Sequence, residues 1–372
     1  MKVLVTGAAG FIGRNLVERL KGDECPDVSE VFESTLETSD DLFERYCAEC
    51  DFVFHLAGVN RPEDPSEFVE GNVDFTARLL DTLKQVNPCP VLFSSSAQAA
   101  LDNPYGASKK TAEDAVRAYG QETGAQVFIY RLPGVFGKWC RPNYNSVVAT
   151  FCHNVAHDLP ITINDRATRL SLIYIDDVVD EFTRALSGEA NRADGGFFAV
   201  PVVYESTLGD IADLLEGFRA SRRDLSIPST DDAFTRKLYS TYLSYLPTDG
   251  FSYPLEMKRD ERGSFTEIIR TSDRGQFSVN VIKPGITKGN HWHNTKNEKF
   301  VVISGEGVIR FRKVGQDAVL EYFVSGEKIE AVDIPPGYTH NIENLGSADM
   351  VTFMWANERF HPEDPDTFWL GV

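Results

Sequence analysis

Lys2-Val3-Leu4-Val5-Thr6-Gly7-Ala8-Ala9-Gly10-Phe11-Ile12-Gly13-Arg14 opens the chain with an apolar run, three glycines spaced by three, and the beginning of an amphipathic stretch that continues to Leu20. An apolar run, a glycine turn and then a 3.6-residue period are a strand, a tight turn and a helix in that order. Glycines let backbone approach a pyrophosphate, and the free N–H groups of the first helical turn attract its charge. The loop therefore predicts dinucleotide binding through Gly7, Gly10, Phe11, Ile12 and Gly13. Glu33, about 20 residues further on, stands where an acidic side chain bonds a ribose 2′-hydroxyl and selects NAD. Arg14, directly after the last glycine, is placed to meet the 2′-phosphate of NADP. The two residues point opposite ways.

Outward from this loop the same grammar repeats. Short apolar runs at Asp51–Leu56, Val91–Ser95 and Val127–Arg131 alternate with amphipathic stretches at Asn72–Val86 and Thr111–Glu122. Alternation of this kind predicts βαβ units, a parallel sheet and a doubly wound α/β layout. Residues from about 139 to 245 read as a smaller substrate-capping region, with helices near Tyr144–His157, Asp177–Leu186 and Leu208–Phe218 and no clean strand alternation. From Phe251 the pattern becomes short β-type runs between Gly/Pro turns: Phe265–Arg270, Phe277–Lys283, Glu298–Ile303, Gly307–Arg312, Val319–Tyr322, Ala331–Ile334 and Met350–Trp355. Evenly spaced strands of this kind predict an antiparallel all-β barrel. Pro247, Gly250 and Pro254 interrupt both patterns, so the expected division is 1–245 and 246–372, with the linker near Leu246–Tyr253.

Composition narrows the partners. At 372 residues the chain is long enough for two cores. A formal charge of -19 without a compensating Lys/Arg stripe would repel a phosphate backbone, which argues against nucleic acid. No run approaches the length needed to span a bilayer, and the N-terminal apolar run is too short for a secretion signal, so the expectation is a cytoplasmic protein without a membrane partner. The six cysteines, all before residue 153, lack a framework spacing and read as reduced thiols, the lone Cys47-x-x-Cys50 included.

Tyr105-Gly-Ala-Ser-Lys109 puts a phenol and an ammonium one turn apart on one helix face. A phenol is a poor proton carrier at neutral pH, and an adjacent ammonium stabilises its phenolate, so Lys109 is expected to tune Tyr105. Ser94-Ser95-Ser96 precedes them at a strand end. Together with the glycine loop, Asp51, His55-Leu56-Ala57-Gly58 expected on the fourth strand, Asn72-Val73, Arg131, Pro133, Phe136-Gly137 and Tyr174-Ile175-Asp176-Asp177-Val178, this motif resembles the extended short-chain dehydrogenases. That family reduces, dehydrates or epimerises nucleotide sugars. The resemblance implies that Ser96 bonds the substrate oxygen, Tyr105 passes the proton and Lys109 holds the nicotinamide ribose. It also implies that Leu56, Ala57, Gly58 and Pro133 line the cofactor. The Ser96-to-Tyr105 gap is nine residues, which leaves the choice among the three serines open, and Gly134 stands where many relatives carry Asn.

The C-terminal part carries a second chemistry. Gly285-x₅-His291-x-His293-x₄-Glu298-x₆-Gly305 and Pro335-x-Gly337-x₂-His340-x₃-Asn344 match the two cupin motifs. On a strand His291 and His293 share a face, Glu298 returns on the next strand and His340 closes the set. Three imidazoles and a carboxylate suit one divalent ion, with zinc, iron, manganese and nickel all compatible. Asp260-Glu-Arg262-Gly263-Ser-Phe265-Thr-Glu267 resembles the D-x-R-G-x-F-x-E pattern of cupin-fold sugar-nucleotide epimerases, with Tyr338, Glu267 and Lys299 as candidates for the general base.

The order of these parts, with Gly137-Lys138-Trp139-Cys140, Pro142-Asn143-Tyr144-Asn145-Ser146 and Gly289-Asn290-His291-Trp292-His293, resembles the CapF-type family of bifunctional capsular-polysaccharide enzymes over essentially the whole chain. That resemblance implies a cupin that epimerises carbon 3 of a UDP-linked 4-keto-6-deoxy-N-acetylhexosamine and a reductase domain that then reduces carbon 4. It implies NADPH as hydride donor, with NADH possible, zinc as the metal and a homodimer as the working form. Two rival readings stand beside it: an NAD-recycling nucleotide-sugar 4-epimerase or dehydratase with a structural cupin, and a nucleotide-sugar sensor without turnover.

Overall fold

The computed structural model describes residues 1–372 except Glu63, Ser272, Phe360, Pro362 and Asp364. Within the N-terminal part β1 (Lys2–Thr6), β2 (Glu30–Ser34), β3 (Phe52–His55), β4 (Val91–Ser96) and β5 (Val127–Leu132) form one sheet in the order β2-β1-β3-β4-β5. All its ladders are parallel. The connections carry α1 (Phe11–Lys21), α2 (Asp40–Glu49), α3 (Phe75–Val86) and α4 (Pro104–Thr123). Alternation along β1 divides the core between the two faces. Val3 and Val5 pack with Leu16 and Val17 of α1 and Phe182 of α6 (Ile175–Leu186). Leu4 packs with Leu79 of α3 and Val116 of α4 on the other face. This is the doubly wound arrangement, the inner strands β1, β3 and β4 buried on both faces because both are covered.

The structure departs from the sequence expectation at several points. His55-Leu56-Ala57-Gly58 follows the third strand rather than a fourth, because a single strand, β2, lies outside β1. Helix α4 starts at Pro104, seven residues before the expected Thr111. Asn103 caps it by accepting from the Gly106 N–H at 2.8 Å, and proline fits the first turn, where its missing N–H costs nothing. The region from 139 to 245 is not free of strands. Between α5 (Val147–Ala156) and α6 lies β7 (Arg169–Tyr174), which pairs with β6 (Gly134–Phe136) and with β8 (Tyr204–Thr207). Gly134 belongs to that sheet, where an added Cβ would stand 3.0 Å from Leu172, so the Asn of relatives would not fit without a shift. Helices α7 (Leu208–Asp224) and α8 (Ala233–Leu243) complete this part.

The chain divides between Pro247 and Thr248, and Gly217–Ser229 groups with the C-terminal unit. That unit is all-β. One sheet has the order β16-β13-β18-β11-β10-β9, formed by β9 (Met257–Asp260), β10 (Gly263–Arg270), β11 (Gln276–Ile282), β13 (Glu298–Ser304), β16 (Ala331–Ile334) and β18 (Met350–Ala356). The other has the order β15-β14-β17-β12-β19, formed by β12 (Thr287–Trp292), β14 (Glu306–Lys313), β15 (Val319–Ser325), β17 (Tyr338–Asn344) and β19 (Phe368–Trp369). Among the described residues no strand ladder joins the two sheets, so where an antiparallel barrel was expected the structure shows two antiparallel sheets, bridged by side chains such as Lys288 donating to Asn280 at 2.8 Å and Asn344 donating to the Ile282 carbonyl at 2.8 Å. Phe300 and Val302 of the first sheet share one apolar core with Ile309, Phe311 and Ile342 of the second. The six cysteines are free, and burial pushes the Cys47 thiol up to about 12, which keeps it unreactive.

Candidate functional site

The glycine loop has the geometry its sequence demands. Gly7 has φ +69, and a Cβ there would stand 2.7 Å from the Ala57 nitrogen. A Cβ on Gly13 would stand 2.2 Å from the Gly7 carbonyl oxygen. Strand, loop and helix can pack this closely only without side chains. Gly10 caps α1 with no side-chain acceptor, and no acidic residue stands in the first turn, where Phe11 and Ile12 are half-buried. The first N–H groups of α1 are thus left for an anion, which fits a cofactor pyrophosphate. Glu33 is exposed on β2 and turns its carboxylate to Lys21 at 2.5 Å. Arg14 is also exposed, its guanidinium 4.4 Å above the Trp139 ring, and Trp139 itself has φ +68.

The expected proton-transfer residues converge beside this loop. Lys109 is 4% exposed, and its ammonium donates to the Ser94 carbonyl at 3.2 Å. A Cβ on Gly58 would lie 3.0 Å from that nitrogen, which places Lys109 beneath the Leu56-Ala57-Gly58 segment. Pro133 follows β5, whose Leu132 pairs with Ser96. The three serines have different partners. Ser94 donates to the His55 carbonyl at 3.4 Å, Ser95 donates to Glu113 at 2.5 Å, and Ser96 accepts from the Gln98 N–H at 3.2 Å and stands near enough to the Tyr105 hydroxyl to act on its pKa. Ser96 is therefore the serine beside the phenol.

One electrostatic expectation fails. Burial raises the Tyr105 pKa, the Ser96 hydrogen bond opposes that rise, and Lys109 is not among the causes. The Lys109 ammonium instead donates to the Ser94 carbonyl. Burial in turn lowers Lys109 to about 8, against the pull of Glu113.

Two buried networks behind the site were not anticipated. Glu113, fully buried, accepts from Arg131 Nε at 2.8 Å and Nη2 at 2.7 Å besides Ser95. Its position four residues after Lys109, on the same helix face, was the available signal. Asn72, in a wide helical turn spanning Val69–Asp74, accepts from the Val59 N–H at 2.8 Å and donates to Ser108 at 3.0 Å. The Thr76 hydroxyl donates to the Asn72 carbonyl, so His55 Nε2 donates to Thr76 and Nδ1 accepts from Thr6, both at 2.8 Å. Burial first, and Lys109 second, lower His55 to about 3 and hold it neutral.

In the C-terminal unit His291, His293, Glu298 and His340 bring one donor atom each to within 4.8 Å of one another. A bulge between Gly289 and His291, with Asn290 at φ +64, sets the histidines on β12 and its end. Glu298 Oε2 lies 3.5 Å from His293 Nε2 and 3.4 Å from His340 Nε2. Donors held tetrahedrally at about 2.0–2.1 Å from a metal are about 3.4 Å apart, so the spacing is that of a ligand set. His293 Nε2, Glu298 Oε2 and His340 Nε2 are buried without a hydrogen-bond partner, an arrangement that a cation would satisfy. The Asp366 carbonyl accepts from His293 Nδ1 at 2.6 Å and leaves Nε2 free for a metal. Burial lowers His291 to about 4, which keeps it neutral, as a ligand must be. Lys299 and Tyr338 stand apart from this centre. Lys299 is exposed and paired with Asp333, and Tyr338 packs against the apolar core.

Fold and sites together define a dinucleotide-binding α/β unit followed by a β unit that carries a cluster of four candidate metal ligands. Residues 3–200 match the model of the NAD dependent epimerase/dehydratase family, and the chain belongs to that family as a CapF-type enzyme. Residues 258–368 match the polysaccharide biosynthesis C-terminal domain. The chain is 47% identical, over 100% of its length and 99% of the other, to the UDP-2-acetamido-2,6-beta-L-arabino-hexul-4-ose reductase of Pseudomonas aeruginosa. The crystal structure of the capsular polysaccharide assembling protein CapF of Staphylococcus aureus matches with 53% identity and a TM-score of 0.93, covering 100% of both chains. A UDP-glucuronic acid 4-epimerase structure from Bacillus cereus, 20% identical over 66% of this chain and 99% of its own, with a TM-score of 0.53, shares the fold. Among the described residues no helix is long and apolar enough to cross a membrane.

Proposed function

We propose that the chain is a bifunctional nucleotide-sugar enzyme. Its metal-binding cupin, residues 246–372, epimerises carbon 3 of UDP-2-acetamido-2,6-dideoxy-β-L-arabino-hexos-4-ulose. Its NADPH-dependent reductase domain, residues 1–245, then reduces carbon 4 to give UDP-2-acetamido-2,6-dideoxy-β-L-talose, on the route to N-acetyl-L-fucosamine in capsule synthesis. The working form is a cytoplasmic homodimer. The observation that carries this reading is the presence on one chain of the Ser96, Tyr105 and Lys109 group beside a glycine loop and of a four-donor metal cluster. Full-length similarity to a reductase of such a 4-keto sugar supports the substrate.

A bound nicotinamide would supply the hydride, and a zinc ion, which His291, His293, Glu298 and His340 would hold, would supply Lewis acidity at the keto group. The chain does the rest. Ser96 holds the carbonyl oxygen of carbon 4, Tyr105 delivers the proton to that oxygen, and Lys109 fixes the ribose. NADPH is favoured as donor because the Glu33 carboxylate is already engaged by Lys21.

The test is oxidation of NADPH and of NADH by the purified protein, followed optically, with the UDP-4-keto sugar generated in situ by a dehydratase. Oxidation establishes the reductase and its donor. A sugar that changes with neither donor consumed refutes the reductase and leaves an internally recycling epimerase. Tyr105→Phe should abolish reduction and spare deuterium uptake at carbon 3, and His291→Ala with His293→Ala should do the reverse. Loss of both activities in each variant would sink the two-site reading.

A further inference from the structure

A cavity of about 500 Å³ opens beside the metal cluster, lined by its ligands His291 and Glu298. The strand across it is β10. Phe265 and Glu267, two apart, both line the cavity, as the period of a strand requires. A regular strand would bring Ile269 to that face next. The pairing of β10 with β11 shifts between Glu267 and Ile269, and the bulge puts Arg270 on the cavity side instead. Arg270 Nε then stands 3.9 Å from Glu267 Oε1 and donates to the Asp224 carbonyl. Glu267 Oε1 is buried and has no hydrogen-bond partner. Its side chain retains 27% exposure, so the carboxylate is not sealed in the core, and Arg270 stands beside it as a charged neighbour.

The cavity wall holds two carboxylates among its lining residues, Glu298 and Glu267. Glu298 belongs to the metal set, which leaves Glu267 as the other carboxylate of the wall. Lys299, one of the alternatives raised by the sequence, lines a separate groove with Phe277 and Phe353. We propose that Glu267 is the general base that removes the proton from carbon 3 of the 4-keto sugar. This rests on the epimerase reading above.

In this step the C3–H bond breaks and its proton passes to a Glu267 carboxylate oxygen. The electron pair becomes the C3–C4 double bond of an enolate, with the charge on the carbon 4 oxygen. Arg270 keeps Glu267 facing the cavity as a positioning residue. The return proton, delivered to the opposite face, comes from water, so the balance is one proton taken, one solvent proton gained and no redox change.

The experiment uses the full chain with its metal, in deuterium oxide, with UDP-2-acetamido-2,6-dideoxy-β-L-arabino-hexos-4-ulose and no NADPH, so that NMR reads exchange at carbon 3 alone. Exchange by the parent protein tests the epimerase reading itself, and its absence would remove that reading rather than single out Glu267. Given parent exchange, Glu267→Gln should lower the rate by about 10²–10⁴-fold, the usual share of a general base. Metal stoichiometry, calorimetric affinity for the sugar nucleotide and NADPH-dependent reduction of the already epimerised sugar should be unchanged. Glu267→Asp, which keeps a carboxylate, should exchange at least about tenfold faster than Glu267→Gln. Exchange by Glu267→Gln within about tenfold of the parent, or loss of the metal from that variant, would overturn the assignment.

Discussion

Replacing Glu113 with glutamine should measure what holds the reductase site together. The carboxylate is fully buried and receives three hydrogen bonds, from Ser95 at 2.5 Å and from Arg131 at 2.8 and 2.7 Å. Removing one partner of a buried ion pair costs about 3–5 kcal/mol, because the survivor is left charged and unpaired. Arg131 has 30% of its side chain exposed, so water recovers part of that cost and the lower figure of about 3 kcal/mol applies. A domain of 150–250 residues loses about 2–4 °C per kcal/mol, so calorimetry should show the N-terminal transition falling by about 6–12 °C. The double variant Glu113→Gln with Arg131→Met removes both charges and should recover most of the loss. A fall under about 1 °C in Glu113→Gln, or single effects that simply add in the double variant, would refute the argument.

Gly13→Ala places a Cβ 2.2 Å from the Gly7 carbonyl oxygen, so the loop must move, and NADPH affinity by fluorescence titration should fall at least about tenfold. Removing the metal with a chelator should lower the C-terminal transition by about 16 °C, taking about 4 kcal/mol for an ion at a thousand times its Kd and about 4 °C per kcal/mol, while the N-terminal transition stays in place; an unmoved C-terminal transition would count against the ligand set. Burial holds Lys109 at about 8, below its ordinary 10.5, so the folded chain releases this proton first. Between those pH values the unfolded chain binds more protons, and stability contributed by this group rises with pH. Reduction needs the ammonium, so kcat/KM should fall about tenfold per pH unit above about 8, and a flat profile to pH 10 would contradict this.

What was legible in the sequence was chemistry that needs fixed local spacing. Gly7, Gly10 and Gly13, Tyr105 and Lys109, and His291, His293 and Glu298 lie within a few residues of one another, and a strand or a helix converts such spacing directly into geometry. Contacts between distant segments left no such trace. Arg131 reaches Glu113 across the β5–α4 interface, and Asp366 reaches His293 from 73 residues away. Strand β2, Glu-Val-Phe-Glu-Ser, is too polar to announce itself, because its place at the sheet edge leaves Glu30 and Glu33 exposed. The three serines could be ranked only once Glu113 was seen to occupy Ser95, which leaves Ser96 for the phenol.

The positions that matter most to the proposed chemistry are those where the backbone leaves its regular path. Gly7 turns at φ +69 so that β1 can meet α1 over Ala57, and Asn290 at φ +64 marks the bulge before His291. A third irregularity, between Glu267 and Ile269, exchanges Ile269 for Arg270 on the face of the cavity. Each of these shifts which side chains share a face, and a strand period read from sequence cannot register an inserted residue. It follows that deleting Ile268, the extra residue of the bulge, leaves Arg270 two positions after Glu267, so plain alternation keeps both on the cavity face. Folding and metal binding would persist, because no metal ligand lies on β10, and exchange at carbon 3 should stay within about tenfold of the parent. An Ile268 deletion that folds and keeps its metal but loses exchange would show that the shared face of Glu267 and Arg270 is not what the bulge supplies.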